Sequence, residues 1–143
     1  MKVHDIMTTD IITVNRDDDL RMVDDIMAAG HIRHVPVVED NRLIGVVSQR
    51  ELFSARVAST MEIGENAQRS FLHTFVVNDV MSQPVITISP DASVSEAAVR
   101  IMDRGIGCLP VVKGSVLEGI VTKTDLLRCL RAVQEAPERT SVE

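Results

Sequence analysis

The chain has 143 residues, of which 45% are hydrophobic and 25% charged, and its formal net charge is −6. That length is about one ordinary domain and that balance is globular rather than disordered. The acidic charge, the lack of a basic stripe, the absence of Trp and Tyr and the presence of only Phe53, Phe71 and Phe75 as aromatics argue against direct nucleic-acid binding, while the lack of an apolar run near ~20 residues or of a signal peptide implies a soluble, cytoplasmic protein with no membrane contact.

The chain opens on Asp5-Ile6-Met7-Thr8, which recurs later as Asp79-Val80-Met81-Ser82. Next comes a short β-branched run, Ile11-Ile12-Thr13-Val14, matched by Val85-Ile86-Thr87-Ile88, and each run is expected to be a strand. Acidic starts at Asp17 and at Pro90-Asp91 lead into apolar residues at helical spacing: Leu20, Val23, Ile26 and Met27 in one copy, Val94, Ala97, Ala98 and Ile101 in the other. A strand follows around Val35-Pro36-Val37-Val38 or Leu109-Pro110-Val111-Val112. Turns at Glu39-Asp40-Asn41 and Lys113-Gly114-Ser115 lead to a second strand ending in Gly45-Val46-Val47 or Gly119-Ile120-Val121, and a further helix opens at Ser48 or Thr122.

Residues 3–55 therefore read again as 77–129 without a gap, each copy in the order β-α-β-β-α. Two copies are too few for a solenoid. A fold of about 50 residues buries too little surface to stand alone, so the copies are expected to share a core. The expected organisation is repeat one at 3–60, a helical connector at 61–76, repeat two at 77–133 and a flexible tail at 134–143.

The segments Ser48-Gln49-Arg50-Glu51 and Thr122-Lys123-Thr124-Asp125 carry the chemistry. One reading is a capping box, in which the hydroxyl caps the helix and the acid three residues on accepts from the cap's own backbone N–H. The other is a binding site, because a helix N-terminus attracts phosphate and a carboxylate accepts ribose hydroxyls. Glu has the length to reach back to the cap, so Glu51 is expected to be the structural acid and Asp125 the ligand acid.

The tandem repeat, the Asp-hydrophobic-Met-Thr/Ser opening, the hydrophobic-Pro-Val-Val strand and the Gly-hydrophobic-hydrophobic-Ser/Thr-x-x-Asp/Glu end resemble a pair of CBS (cystathionine-beta-synthase) domains, a Bateman module. The resemblance implies an α+β fold of two β-α-β-β-α repeats packed face to face with pseudo-twofold symmetry. It implies a regulatory protein rather than an enzyme, requiring no cofactor and binding AMP, ADP, ATP or S-adenosylmethionine between the repeats. Carried onto this chain, it assigns one cleft to Asp125, Thr122, Thr124, Ile120, Gly107, Met7, Ile12, Ile32 and Arg33, with Asp125 on the ribose. It assigns a weaker cleft to Ser48, Arg50, Glu51, Val46, Met81, Ile86, Ile106 and Gly107, where Glu51 departs from the family's Asp. It also implies a homodimer packed through helices at residues 51–58 and 125–132, signalling to an unknown regulated protein.

Two alternatives carry less of the pattern. A dimeric interaction module with empty clefts accommodates Glu51 without a ligand. A metal or redox sensor would use His31, His34, Cys108 and Cys129, but these lack ligand spacing, and the two thiols read as ordinary buried or half-buried residues. The seven methionines sit mostly at core or helical spacing, as gap-fillers.

Overall fold

The computed structural model describes residues 1–63, 75–83 and 85–135, with the side chains of 58–63 left aside. Its elements are α1 (Val3–Ile6), α2 (Leu20–Gly30), β1 (His34–Glu39), β2 (Arg42–Ser48), α3 (Gln49–Ile63), α4 (Val77–Val80), α5 (Val94–Arg104), β3 (Cys108–Lys113), β4 (Val116–Thr122) and α6 (Lys123–Glu135). Most of the connector expected at 61–76 and nearly all of the tail expected at 134–143 lie outside the described residues, although α3 runs on to Ile63.

The chain forms two compact units, and neither is one repeat. Unit 1 combines Met1–Asp10 with Thr87–Lys113 and Glu118–Glu143; unit 2 combines Ile11–Ile86 with Gly114–Leu117. The repeats have exchanged their opening segments. In unit 1, Thr8 N–H donates to the Ile120 carbonyl at 2.9 Å and Ile120 N–H to the Thr8 carbonyl at 3.0 Å, while in unit 2 Ser82 and Val46 make the equivalent pair at 2.8 and 3.3 Å. A core built this way needs both copies, since each unit buries residues from each.

In unit 2 the core gathers Leu20, Val23 and Met27 of α2, Val35 and Val37 of β1, Val47 of β2, Leu52 of α3, and Val77 and Met81 of the second opener. Fully burying such a side chain is worth about 1.5–3 kcal/mol. Unit 1 buries Val3, Ile88, Ala97, Ile101, Leu109, Val111 and Val121 at the corresponding places.

The openers are short helices, α1 and α4. In each, the Asp of the opening motif folds back on the residue before the helix: Asp5 Oδ2 accepts from Lys2 N–H at 2.8 Å and Asp79 Oδ2 from Val76 N–H at 3.0 Å. The Lys2 hydrogen bond is the main cause holding the Asp5 carboxyl below the ordinary carboxylate value, with the charge on His4 assisting and burial opposing.

The strands expected at 11–14 and 85–88 reduce to single parallel bridges, Val14 with Val37 and Ile88 with Val111. Val14 N–H donates to the Pro36 carbonyl and Val38 N–H to the Val14 carbonyl, with Ile88, Pro110 and Val112 repeating the pattern. The next bond of each parallel ladder would require an N–H from Pro36 or Pro110, which proline lacks, so pairing stops after one residue.

The hairpin of β1 and β2 is antiparallel, from His34 opposite Ser48 to Glu39 opposite Arg42, with an irregularity between Val37 and Val38. Its turn residues Asp40 and Asn41 both have positive φ, 52° and 66°, as a two-residue primed turn demands.

Helix α2 is capped by Asp19, whose side chain accepts from Arg21 N–H at 2.7 Å, and α5 by Ser93, which accepts from Glu96 N–H at 3.0 Å. The caps lie two residues beyond the expected starts at Asp17 and Asp91. At the other ends the copies differ: Gly105 closes α5 in the left-handed region, and His31 closes α2 there with φ of 52°. A side chain costs roughly 1 kcal/mol in that conformation relative to glycine. His31→Gly is therefore expected to raise stability by about 1 kcal/mol, read as a higher urea midpoint at unchanged slope.

Candidate functional site

In unit 1, strand β4 passes under the first opener at Gly119. A Cβ at Gly119 would lie 2.6 Å from Met7 Sδ and 3.0 Å from the Thr8 carbonyl oxygen, so glycine is required there for space. The close approach holds Met7 and Thr8 on Gly119 and Ile120, next to the start of α6. Gly107, just before β3, accepts from Lys123 N–H through its carbonyl at 3.2 Å and so satisfies one free donor of the α6 N-terminus.

Asp125 lies at the third position of α6 and is only 7% exposed. Its Oδ2 accepts from Thr122 N–H at 2.8 Å and from the Thr122 hydroxyl at 3.1 Å, and Thr122 Oγ1 accepts from Asp125 N–H at 3.2 Å. That is a complete capping box. Its Oδ1 is held less closely, by the Thr8 hydroxyl at 3.5 Å and by Arg128 Nη1 at 3.5 Å. Both separations exceed the usual hydrogen-bond optimum, so this oxygen keeps accepting capacity. Thr124 is exposed on the same turn.

In unit 2 the equivalent acid behaves differently. Glu51 N–H donates to Ser48 Oγ at 3.4 Å, but the carboxylate does not return to the cap; Oε1 accepts from the Ser82 hydroxyl of the second opener at 2.8 Å. The structural cap expected of Glu51 is thus found at Asp125 instead. The extra methylene carries the Glu51 carboxylate across to the opener, whereas the shorter Asp125 stays within reach of its own cap. An open cavity of about 560 Å³ lies beside this bond, lined by Arg50, Glu51, Ser54, Ala55, Val80 and Ser82. A second, of about 510 Å³, lies between α2 and α3 against Asp24, Met27, Leu52, Phe53 and the Asp24–Arg56 ion pair.

Of the residues assigned to the first cleft, Asp125, Thr122, Thr124, Ile120, Gly107 and Met7 come together in unit 1. Ile12, Ile32 and Arg33 belong to unit 2 instead: Ile12 is 47% exposed, Ile32 packs against that unit's core, and Arg33 has an exposed side chain while its carbonyl accepts from Gln49 N–H at 2.8 Å. Of the second set, Ser48, Arg50, Glu51, Val46, Met81 and Ile86 lie in unit 2 and Ile106 in unit 1. Gly45 there faces Met81 Sδ as Gly119 faces Met7.

Sequence reasoning passed over three contributors: Thr8, Ser82 and Arg128. The hydroxyls carried a signal, being the only polar, non-acidic members of the repeated opening motif. His31 and His34, weighed above as metal ligands, sit at the end of α2 and the start of β1, and among the described residues no group of three or more His, Cys, Asp or Glu side chains is placed to hold a metal. Cys108 is buried and Cys129 half-buried, and neither is in a disulfide. Among the described residues, no helix is long and apolar enough to cross a membrane.

A model of the CBS domain family matches residues 3–58 and 77–132. A CBS domain-containing protein of Dictyostelium discoideum is 31% identical over 135 residues, covering 93% of each chain. The crystal structure of the Vibrio cholerae protein AcuB, assigned to acetoin utilization, superposes with a TM-score of 0.81 at 34% identity over 99% of this chain and 98% of that one. CBSX2, solved in complex with AMP, has the same fold, with a TM-score of 0.79 at 23% identity over 94% and 98% of the two chains. Other relatives are longer: the chain spans 31% of the length of a Methanocaldococcus jannaschii protein and 44% of one from Methanopyrus kandleri.

Proposed function

The chain belongs to the CBS domain family, and from that premise we propose that it is a regulatory, non-catalytic module that senses an adenosine nucleotide: AMP, ADP, ATP or S-adenosylmethionine. The two repeats, at 3–60 and 77–133, would each contribute to one site, because the opener of the first lies on the body of the second in unit 1. The observation that carries this reading is the state of Asp125. It is a buried carboxylate with one oxygen spent on its cap and the other weakly used, beside the hydroxyl of Thr8 and at the N-terminus of a 13-residue helix.

Such a carboxylate oxygen suits a ribose hydroxyl, which donates a charge-assisted hydrogen bond. The N-terminal turn of α6, with Thr122, Lys123 and Thr124, suits a phosphate. Met7 and Ile120 supply aliphatic walls for an adenine, which answers the scarcity of aromatics. CBSX2 in complex with AMP shows that this fold accommodates such a ligand in another protein. No cofactor is needed for sensing, and the output passes to a partner protein by contact.

Helices α5 and α6 leave Met102, Leu127, Leu130 and Val133 each more than half exposed. Apolar side chains gathered on adjoining helices are the kind of surface that a second copy covers, and a homodimer is the assembly we assign.

Thermal unfolding in the presence of AMP, ADP, ATP and S-adenosylmethionine tests the reading. A ligand at 100 times its dissociation constant adds about 2.7 kcal/mol, which is a shift of several degrees for a chain of this size. No shift with any of the four overturns it and leaves a dimeric interaction module without a ligand.

A further inference from the structure

The geometry points to Arg128 as a positioning residue that sets how strongly Asp125 takes up a ribose hydroxyl. Arg128 lies one turn beyond Asp125 on the same face of α6, and its Nη1 stands 3.5 Å from Asp125 Oδ1. Oδ1 is the oxygen left available once Oδ2 has closed the cap. A buried carboxylate oxygen needs compensation, and Oδ1 draws it from two loosely placed donors, the Thr8 hydroxyl and this guanidinium.

The two partners of the ion pair are unequally anchored. Asp125 is 7% exposed, whereas the Arg128 side chain is 64% exposed and can return to water at small cost. The pair is also private to unit 1. Position 54, which corresponds to Arg128 in the first repeat, is Ser54, and the acid there is already bound by Ser82 at 2.8 Å. Arg128 therefore compensates Oδ1 and must yield it when a ribose hydroxyl arrives, so that it holds affinity down. This role rests on the nucleotide reading of the same site.

Titration calorimetry of the full chain with adenosine tests it. Adenosine carries no phosphate, so removing a cation cannot act through phosphate attraction. Arg128→Ala and Arg128→Gln are expected to bind adenosine about two- to fivefold more tightly than the wild type at low salt, the range of a weak ion pair. Arg128→Lys, which keeps the charge, should stay near the wild type. Raising the salt to about 1 M, where screening acts within ~3 Å, should tighten wild-type binding towards that of Arg128→Gln and leave the latter unchanged.

Equal affinity in wild type and both neutral variants, or weaker binding by the variants, overturns the assignment of Arg128 while leaving the nucleotide site intact. Failure of the wild type to bind adenosine or any of the four nucleotides overturns the nucleotide reading itself, and this role with it.

Discussion

Asp125→Ala is expected to abolish most nucleotide binding and to lower stability by about 1–2 kcal/mol, so that one substitution removes both the proposed ligand acid and a helix cap. The stability loss follows from the 2.8 Å bond to Thr122 N–H: without the carboxylate, that donor and the Thr122 hydroxyl lose their partner in a half-buried place. The binding loss follows from Oδ1. Asp125→Asn separates the two effects, since an amide still offers an oxygen to Thr122 N–H but no negative charge to a ribose. It should lose less stability than the alanine variant and nearly as much AMP affinity. Glu51→Ala removes only the bond to Ser82, which lies at the surface, and should cost under about 1 kcal/mol and leave binding in unit 1 unchanged. Urea unfolding together with AMP titration reads all three. Wild-type affinity in Asp125→Ala would move the site away from unit 1, and lost affinity in Glu51→Ala would move it to unit 2.

The contrast between these two acids marks what the sequence could and could not disclose. Comparing the copies residue by residue locates both hairpin turns, both long helices of each repeat and the hydroxyl-x-x-acid segments, because all of these are local patterns of period, cap and turn. It also shows why His31 is strained, since its counterpart is Gly105. The fate of each carboxylate is not local. It depends on what the opener brings within reach, and the openers reach the other copy's second strand, Thr8 on Ile120 and Ser82 on Val46. Nothing in a linear repeat distinguishes a segment that packs on its own copy from one that packs on the next. Side-chain length then moves the cap from the expected acid to the other, with Glu51 reaching its opener and Asp125 closing its own capping box.

The prolines illustrate the same division. Each is conspicuous at the centre of its strand, and the runs at 11–14 and 85–88 have strand composition. The missing N–H of Pro36 or Pro110 limits each run to one bridge only because those runs lie parallel to β1 and β3, a tertiary fact. Ile12 is consequently left 47% exposed in unit 2 rather than fixed in a ladder.

Gly119→Val should have the largest effect on the fold of unit 1 and should remove nucleotide binding with it. A Cβ there would stand 2.6 Å from Met7 Sδ, 3.0 Å from Met7 Cγ and 3.0 Å from the Thr8 carbonyl oxygen. The thioether can swing aside, being flexible. The carbonyl cannot, because it accepts from Ile120 N–H at 3.0 Å and that bond holds the opener on β4. Valine adds two methyl groups to the clash, and overpacking of this kind costs about 1–3 kcal/mol, with the opener's two backbone bonds also at risk. Since the opener carries Thr8, its displacement also takes a donor away from Asp125. A double-mutant cycle identifies the mechanism. If the Met7 contact matters, Met7→Ala should relieve part of the cost of Gly119→Ala, giving a coupling of at least about 0.5 kcal/mol, whereas the carbonyl contact should keep the relief incomplete. Strictly additive costs would show that the sulfur is not what glycine accommodates, and full relief would show that the carbonyl does not matter. The matching substitution Gly45→Val, which meets Met81 Sδ at 2.6 Å and the Ser82 carbonyl at 3.2 Å, should destabilise unit 2 in the same way. It should leave Asp125 and its neighbours in unit 1 able to bind, so the pair of variants asks whether one opener alone serves the ligand.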